Sequence, residues 1–166
     1  MPSKKNISSK LRTIKLLLLD VDGVMTDGGI YYSNRGDEFK KFNIKDGYGI
    51  MKLRRSGIQA GIITGRISNI VSRRAADLEI KEVHQNLDNK LAAYESIKQR
   101  LHLMDAEIAY IGDDEFDLEV LAEVGFSAAP ADAVTAVRKK VDYICKVKGG
   151  EGAVREIIDM ILDSKK

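Results

Sequence analysis

The amino-acid sequence predicts an α/β fold in which helices cover both faces of a parallel central sheet, a three-layer sandwich. Apolar, β-rich runs alternate along the chain with segments whose apolar residues recur at helical spacing. Several of the β-rich runs are continuously apolar, which is typical of strands covered on both faces. The length of 166 residues suffices for one domain with its own hydrophobic core. We therefore expect a single domain over residues 1–166.

The predicted elements follow this alternation. Strands are expected at residues 14–19, 58–63, 82–84, 108–111, 126–129 and 143–145. Helices are expected at residues 47–55, 68–78, 90–101, 116–124 and 152–162. Residues 28–43 interrupt the pattern, since Ile-Tyr-Tyr, a polar turn and alternating charged and aromatic residues predict a β-hairpin inserted after the first strand.

The two ends of the chain differ in character. Residues 1–12 are polar and basic, and we expect a flexible tail there. Residues 147–166 are expected to form a C-terminal tail and helix. The glycines Gly149, Gly150 and Gly152 indicate either a flexible turn or a plain connection between a strand and a helix.

Composition narrows the class of protein. Lys and Arg number 27 against 25 Asp and Glu, a balance that argues against a nucleic-acid partner. Cys145 is the only cysteine, so an internal disulfide is excluded and a reducing compartment is favoured. The apolar run after Lys15 is four leucines, too short for a signal peptide or a membrane span. We expect a cytoplasmic protein without a membrane partner.

Residues that can carry chemistry stand where the predicted strands end. They are Asp20, Asp22, Thr64, Gly65, Arg66, Lys90, Asp113, Asp114 and Asp117. Each alone has a plain structural explanation as a helix cap, a turn residue or a solvated charge. Because the carboxyl ends of parallel strands meet at the same edge of a sheet, four strand ends bring these side chains to one rim.

The chemistry of this set points to phosphoryl transfer. Clustered carboxylates repel one another unless a hard cation such as Mg²⁺ lies between them, and Mg²⁺ also accepts phosphate oxygens as ligands. The hydroxyl of Thr64 and the ammonium of Lys90 suit the oxygens of a phosphoryl group. Of the two aspartates after the first strand, one can attack phosphorus while the other moves protons.

The ordered motifs DxDGV, ITGR, NK and GDDxxD resemble those of the haloacid dehalogenase (HAD) superfamily of phosphotransferases, over nearly the whole chain. The resemblance implies a HAD-like Rossmannoid sandwich. It implies that Asp20 is the nucleophile and Asp22 the general acid/base. It also implies that Thr64 and Lys90 bind and stabilise the transferring phosphoryl group, and that the reaction passes through an aspartyl-phosphate.

The same resemblance implies a Mg²⁺ site. Asp20, the backbone carbonyl of Asp22, and Asp113 are expected to be the metal ligands. Asp114 and Asp117 are expected to lie behind them and to orient water or the neighbouring lysine.

The chain resembles a member of the superfamily without a cap domain. Only the 28–43 hairpin separates Asp22 from the first predicted helix, and residues 64–113 leave no room for a second insertion. Small-molecule members without a cap commonly close their sites with a neighbouring subunit, so the resemblance implies a homo-oligomer, by family a homotetramer. The hairpin, with Tyr31, Tyr32, Phe39 and Phe42, is the expected contact, unless these aromatic residues pack on their own domain.

Longer stretches narrow the resemblance to the HAD phosphatases of 3-deoxy-D-manno-octulosonate 8-phosphate (Kdo 8-phosphate), a keto-acid sugar phosphate of lipopolysaccharide precursor synthesis. These stretches are DVDGVMTDGGIYY, KFNIKDGYGI, IITGR, NKL, AYIGDD and GGEGAVREIID. The substrate-binding residues that the resemblance implies are Asn43, Asp46, Gly47, Gly65, Arg66, Arg74 and Lys90. An arginine can bind the carboxylate of such a sugar through two hydrogen bonds.

Two positions depart from that pattern. Glu151 and Met51 stand where an arginine is usual in the family, and the tail also resembles that of phosphatases acting on nine-carbon keto-acid sugar 9-phosphates. Arg66 favours the eight-carbon substrate, because an acidic residue is expected there in the nine-carbon enzymes. Both substrates stay open, as does the question of whether the tail covers its own active site or that of a neighbour.

Two alternative interpretations would place the protein in a functional class other than the phosphatases. A Mg²⁺-binding receiver domain of a signalling pathway also uses clustered aspartates, a hydroxyl and a lysine, but the order of the motifs here argues against it. An inactive HAD-like scaffold is the second, and with the reactive residues all present nothing in the sequence favours it.

Overall fold

The computed structural model describes residues 4–166. Six strands form one parallel sheet and two more form a separate antiparallel hairpin. The strands are β1 Leu16–Leu19, β2 Tyr31–Tyr32, β3 Glu38–Phe39, β4 Gln59–Ile63, β5 Glu82–His84, β6 Ile108–Ile111, β7 Phe126–Ala129 and β8 Tyr143–Ile144. The order in the main sheet is β5-β4-β1-β6-β7-β8, with parallel pairing throughout. The predicted parallel sheet is confirmed.

The helices lie between the strands. They are α1 Lys4–Thr13, α2 Ile44–Arg55, α3 Asn69–Asp77, α4 Lys90–Arg100, α5 Leu118–Glu123, α6 Thr135–Arg138 and α7 Ala153–Ser164, with 3₁₀ turns at Asp105–Glu107 and Glu115–Asp117. The start of α2 precedes the predicted residue 47, because Asn43 accepts a hydrogen bond from the backbone N–H of Lys45 and caps the helix there. Among the described helices, none is long and apolar enough to cross a membrane.

β1 shows why the sheet is buried on both faces. All four leucines of the strand are completely buried. Leu17 and Leu19 pack in the cluster that α1, α2, α3 and α7 cover, whereas Leu16 and Leu18 pack in the cluster under α4, α5 and α6. This alternation follows from the two-residue period of a strand, and it produces the three layers.

The strand register brings the carboxyl ends together. Leu19, the last residue of β1, pairs with Ile62 of β4 and with Ile111 of β6. The chain therefore leaves the three central strands at the same level, with Asp20, Thr64 and the Gly-Asp-Asp segment following within a few residues.

The prediction of a flexible tail over residues 1–12 is wrong for residues 4–12, which belong to α1, while Met1, Pro2 and Ser3 lie outside the described residues. Leu11 is 2% exposed and joins the main core. The guanidinium Nε of Arg12 donates to the carbonyl of Ser164 at 2.9 Å. Packing against α7 stabilises a helix whose sequence alone reads as polar.

The predicted hairpin is confirmed. Tyr31 pairs with Phe39 in an antiparallel ladder that is not part of the main sheet. Tyr31, Tyr32 and Phe39 are about half exposed or more, whereas Phe42 is partly buried against the core. Three of the four aromatic residues thus face solvent in the single chain.

Candidate active site

Asp20 directly follows β1, whose residues are all completely buried. Its backbone N–H donates to the carbonyl of Ile111 at 3.0 Å, which continues the ladder of β1 one residue further. The chain then turns through Gly23 with a φ of 87°. A Cβ on that residue would lie 2.1 Å from Oδ2 of Asp113, so only glycine lets the loop pass so close to Asp113.

Lys90 places a buried ammonium group against these carboxylates. It is the first residue of α4, whose N-cap is Asn89. The Nζ atom lies 2.9 Å from Oδ1 of Asp20 and 2.7 Å from Oδ1 of Asp117, and the side chain is 3% exposed. Burial lowers the pKa of Lys90, but the two carboxylates outweigh burial and the net pKa is raised, so the side chain is a cation.

Asp117 holds that lysine in place. Its carboxylate is completely buried, and Oδ1 accepts hydrogen bonds from Lys90 and from the hydroxyl of Tyr110. Oδ2 accepts from the backbone N–H groups of Asp113 and Asp114, at 2.9 and 3.2 Å. Because both of its oxygens accept hydrogen bonds, Asp117 is suited to orient Lys90.

The charges of Asp20 and Asp113 are only partly compensated by Lys90. Burial and the charge of Asp117 raise the pKa of Asp20 to about 6, although Lys90 lowers it. Burial and the charges of Asp20, Asp117 and Asp114 raise the pKa of Asp113 to about 8. One ammonium group therefore does not balance the acidic residues around it.

A divalent cation fits this site. Oxygens of Asp20, Asp113 and Asp117 lie within 4.8 Å of one another. Oδ1 of Asp113 is buried without a hydrogen-bond partner, as expected of an oxygen that binds a metal ion. Oxygen-only coordination with few carboxylates is what Mg²⁺ prefers.

Thr64 and Gly65 form the opposite wall. The backbone N–H of Thr64 donates to the carbonyl of His84 at 2.9 Å, and the residue is 3% exposed. The would-be Cβ of Gly65 lies 2.8 Å from the ring of Phe116, which in turn lies 5.2 Å from Nζ of Lys90. The resulting cavity measures ≈ 190 Å³, and its lining contains every strand-end residue that the sequence predicts: Asp20, Asp22, Thr64, Gly65, Arg66, Lys90, Asp113, Asp114 and Asp117, together with Phe116.

Asp114 has a local role in the fold. It is exposed, and its Oδ1 accepts a hydrogen bond from the backbone N–H of Glu115 at 2.7 Å. It therefore caps the 3₁₀ turn that carries Asp117 and sets the position of that residue.

Asp22 faces the hairpin. Nζ of Lys40 hydrogen-bonds to Oδ1 of Asp22, and Nε of Arg66 lies 3.7 Å from Oδ2. Both cations also approach Glu38, each at 3.4 Å. The sequence analysis did not identify Lys40 or Tyr110. A buried tyrosine hydroxyl needs a partner, which was a usable signal for Tyr110, but nothing in the sequence distinguishes Lys40 from its neighbour Lys41.

Four predicted substrate-binding residues form a second group. Among the described residues, the lining of the cavity at Asp20 does not include Asn43, Asp46, Gly47 or Arg74. Asn43 donates from Nδ2 to the carbonyl of Gly150 at 3.1 Å, and Arg74 packs its guanidinium against Gly47. Asp46 accepts a hydrogen bond from the backbone N–H of Arg155. In the single chain these residues connect α2, α3 and the tail, and their contact with substrate stays a prediction.

The glycines of the tail lie on the loop that follows Asp22. A Cβ on Gly149 would come within 1.8 Å of the carbonyl oxygen of Gly23. The backbone N–H of Gly150 donates to the carbonyl of Val24 at 3.1 Å. The start of the tail therefore supports the active-site loop of its own chain.

Known proteins are similar to this chain in both sequence and fold. Residues 78–158 match the family model of the haloacid dehalogenase-like hydrolases. The chain is 43% identical over 161 residues to the 3-deoxy-D-manno-octulosonate 8-phosphate phosphatase KdsC of Escherichia coli K12, covering 97% of this chain and 86% of the relative.

Two crystal structures superpose closely. That of the 3-deoxy-D-manno-octulosonate 8-phosphate phosphatase from Yersinia pestis gives a TM-score of 0.96 at 44% identity, over 99% of this chain and 89% of the other. The structure of the enzyme from Moraxella catarrhalis, in complex with a magnesium ion, a phosphate ion and a KDO molecule, gives a TM-score of 0.96 at 40% identity, over 98% of this chain and 94% of the other. The chain therefore belongs to the haloacid dehalogenase-like hydrolases and is a close relative of their Kdo 8-phosphate phosphatases.

Proposed function

We propose that the protein is a Mg²⁺-dependent phosphatase that converts Kdo 8-phosphate to Kdo and inorganic phosphate, a step in lipopolysaccharide precursor synthesis. The observation that carries the proposal is the cluster of Asp20, Lys90 and Asp113 at the strand ends, in a chain 43% identical to KdsC over 97% of its length. The carboxylate of Asp20 lies beside Lys90, and Oδ1 of Asp113 has no hydrogen-bond partner. Such an arrangement can bind a phosphoryl group and a cation.

In the first half-reaction, a carboxylate oxygen of Asp20 attacks the phosphorus and the bond to the sugar oxygen breaks. Asp22 gives its proton to that leaving oxygen. Lys90 and Thr64 bind the oxygens of the phosphoryl group, whose charge Lys90 balances. The product left on the enzyme is an aspartyl-phosphate.

In the second half-reaction, water attacks the same phosphorus. Asp22, now a carboxylate, takes a proton from the water, and the bond between phosphorus and the Asp20 oxygen breaks. Inorganic phosphate leaves, and both aspartates return to their starting state.

Asp20, the backbone carbonyl of Asp22, and Asp113 are the residues that would hold Mg²⁺. When bound, the ion offsets the negative charge of the carboxylates and of the phosphoryl oxygens. Asp117 keeps Lys90 aligned by its paired oxygens.

The sugar specificity rests on the mouth of the cavity. Arg66 is 45% exposed there and can bind the carboxylate of the substrate. Asn43, Asp46, Gly47 and Arg74 are proposed to contact substrate in an assembly of several chains. A homotetramer in the cytoplasm is part of this proposal, and the exposed aromatic residues of the hairpin support an assembly.

A nine-carbon keto-acid sugar 9-phosphate is the second candidate substrate. Glu151 favours it, since the GGEG tail resembles that of the nine-carbon enzymes. Arg66 argues for the eight-carbon acid.

The test is the release of inorganic phosphate, with Mg²⁺, from Kdo 8-phosphate, nine-carbon keto-acid 9-phosphates and hexose phosphates. We expect the highest kcat/KM on Kdo 8-phosphate. A higher value on a nine-carbon acid would change the substrate and keep the mechanism, whereas no release from any of them would overturn the proposal.

A further inference from the structure

Lys40 is a buried cation on an otherwise exposed element. It follows β3 of the hairpin, whose Tyr32 and Phe39 are 68% and 56% exposed. The side chain of Lys40 is nevertheless only 1% exposed. Burying an ammonium group is unfavourable unless a counter-charge is hydrogen-bonded to it, so the partners of Lys40 decide why it is buried.

Those contacts point at the active site. Nζ of Lys40 donates to Oδ1 of Asp22 and lies 3.4 Å from Oε1 of Glu38. Arg66 completes a group of two carboxylates and two cations, with Nη2 at 3.4 Å from Glu38 and Nε at 3.7 Å from Oδ2 of Asp22. The group joins the loop after β1, the hairpin and the loop after β4, and its charges sum to zero when Asp22 is a carboxylate.

The two oxygens of Asp22 differ in this arrangement. Oδ1 is fixed by the ammonium of Lys40, whereas the 3.7 Å separation of Oδ2 from Arg66 exceeds a hydrogen bond. A hydrogen bond to one oxygen fixes the plane of the carboxylate and leaves the second oxygen for a proton.

We infer that Lys40 is a positioning residue, which orients Asp22 so that Oδ2 of Asp22 faces the leaving oxygen of the substrate. The inference rests on the proposed function. In the first half-reaction the proton on Asp22 passes to the sugar oxygen as the bond between that oxygen and phosphorus breaks. The hairpin, besides any contact with a partner, is then part of the proton-transfer apparatus.

The test exploits the dependence of kcat/KM on the leaving group. A sugar alkoxide needs a proton as it leaves, whereas the p-nitrophenolate ion does not, and kcat/KM reports the steps up to departure of the leaving group. We expect Lys40→Met to lower kcat/KM on Kdo 8-phosphate by roughly 10- to 100-fold. On p-nitrophenyl phosphate the loss should be less than about 3-fold, and Lys40→Arg should restore part of the activity.

The matched control is the adjacent Lys41, whose side chain is 65% exposed and lies 3.8 Å from Asp27. Lys41→Met should leave both kcat/KM values unchanged. If Lys40→Met folds poorly, the double variant Lys40→Met/Glu38→Gln removes one charge of each sign and repeats the comparison. Equal losses on both substrates in a folded variant would overturn the inference.

A crystal structure of Lys40→Met decides the inference independently of turnover. A rotated carboxylate of Asp22 supports it, and an unmoved carboxylate overturns it. Failure of the proposed function would give a different result, because the wild-type protein itself would then release no phosphate from any substrate.

Discussion

Oδ1 of Asp46, on α2, accepts a hydrogen bond from the backbone N–H of Arg155 at 2.7 Å, across 109 positions of sequence. Arg155 lies in the first turn of α7, whose own N-cap, Gly152, has a φ of 112° and no side chain to offer. Asp46 thus caps α7 from another helix, and the tail that leads into α7 is fixed to the body of the domain.

This cap makes stability depend on pH. Burial raises the pKa of Asp46 to about 6, against the opposing effects of Arg155 and Arg74, and Oδ2 is buried without a hydrogen-bond partner. Because the native carboxyl binds its proton more tightly than the unfolded one, its contribution to the free energy of unfolding falls as pH rises through the range from about 4 to about 6.

Asp46→Asn keeps the cap oxygen and cannot ionise. We expect the free energy of unfolding of the wild type to fall, relative to this variant, by about 2 kcal/mol between about pH 4 and pH 7. Urea unfolding at several pH values measures the difference. Parallel curves for the two proteins would contradict the prediction.

Asp20→Asn should lower kcat on Kdo 8-phosphate by at least about 10³-fold, because the amide keeps the shape of the side chain but is not a nucleophile. The melting temperature should not fall, since the change removes a buried charge that Asp117 repels. Asp163→Asn, on the exposed end of α7, serves as the control. Near-normal turnover of Asp20→Asn would exclude it as the nucleophile.

Mg²⁺ should stabilise the fold through Asp113. At about 100 times its Kd the ion adds about 2.7 kcal/mol to the free energy of unfolding, or a rise of several degrees in Tm. Asp113→Asn should abolish most of that rise, and a chelator should reverse it in the wild type. Equal shifts of Tm in the two proteins would place the metal elsewhere.

Arg66→Ala should raise KM for the keto-acid substrate by roughly 10-fold or more, because the carboxylate of the substrate loses the guanidinium that binds it. The values for p-nitrophenyl phosphate, which has no carboxylate, should change little. Arg35→Ala, in the exposed turn of the hairpin, is the matched control. Equal losses on both substrates would assign Arg66 to the phosphoryl group or to the fold.

Leu11→Ala should destabilise the protein by about 2–4 kcal/mol, because it leaves a cavity between α1 and the core. Ser9→Ala, on the exposed side of the same helix, should change the free energy of unfolding by less than about 0.5 kcal/mol. Similar small effects from both changes would mean that α1 is not part of the folding unit.

The sheet could be predicted because its strands are buried on both faces and therefore carry uninterrupted apolar runs. The strand-end residues could be predicted for a related reason, since one register brings all these ends to one edge. α1 was missed because its apolar residues, Ile7 and Leu11, are two among many polar ones. α6 is a single turn, Thr135–Arg138, too short for helical spacing to show.

Lys40 illustrates a second limit of prediction from the sequence. Lys40 and Lys41 are identical in type and adjacent in sequence, yet one side chain is buried against Asp22 and the other is exposed. The orientation of the hairpin on the domain decides which lysine turns inward. That orientation is a tertiary property, and a period of two residues cannot assign it without a known register.

The position of β1 between β4 and β6 has a consequence for amide hydrogen exchange. Its backbone is hydrogen-bonded to a strand on each side and all its side chains are buried, so its amides should exchange only when the whole domain unfolds. The hairpin, with two residues in each strand, should exchange through local opening. Asp20, the proposed nucleophile, therefore follows a strand that should exchange slowly, while Asp22, the proposed general acid/base, is hydrogen-bonded from a segment that should exchange fast.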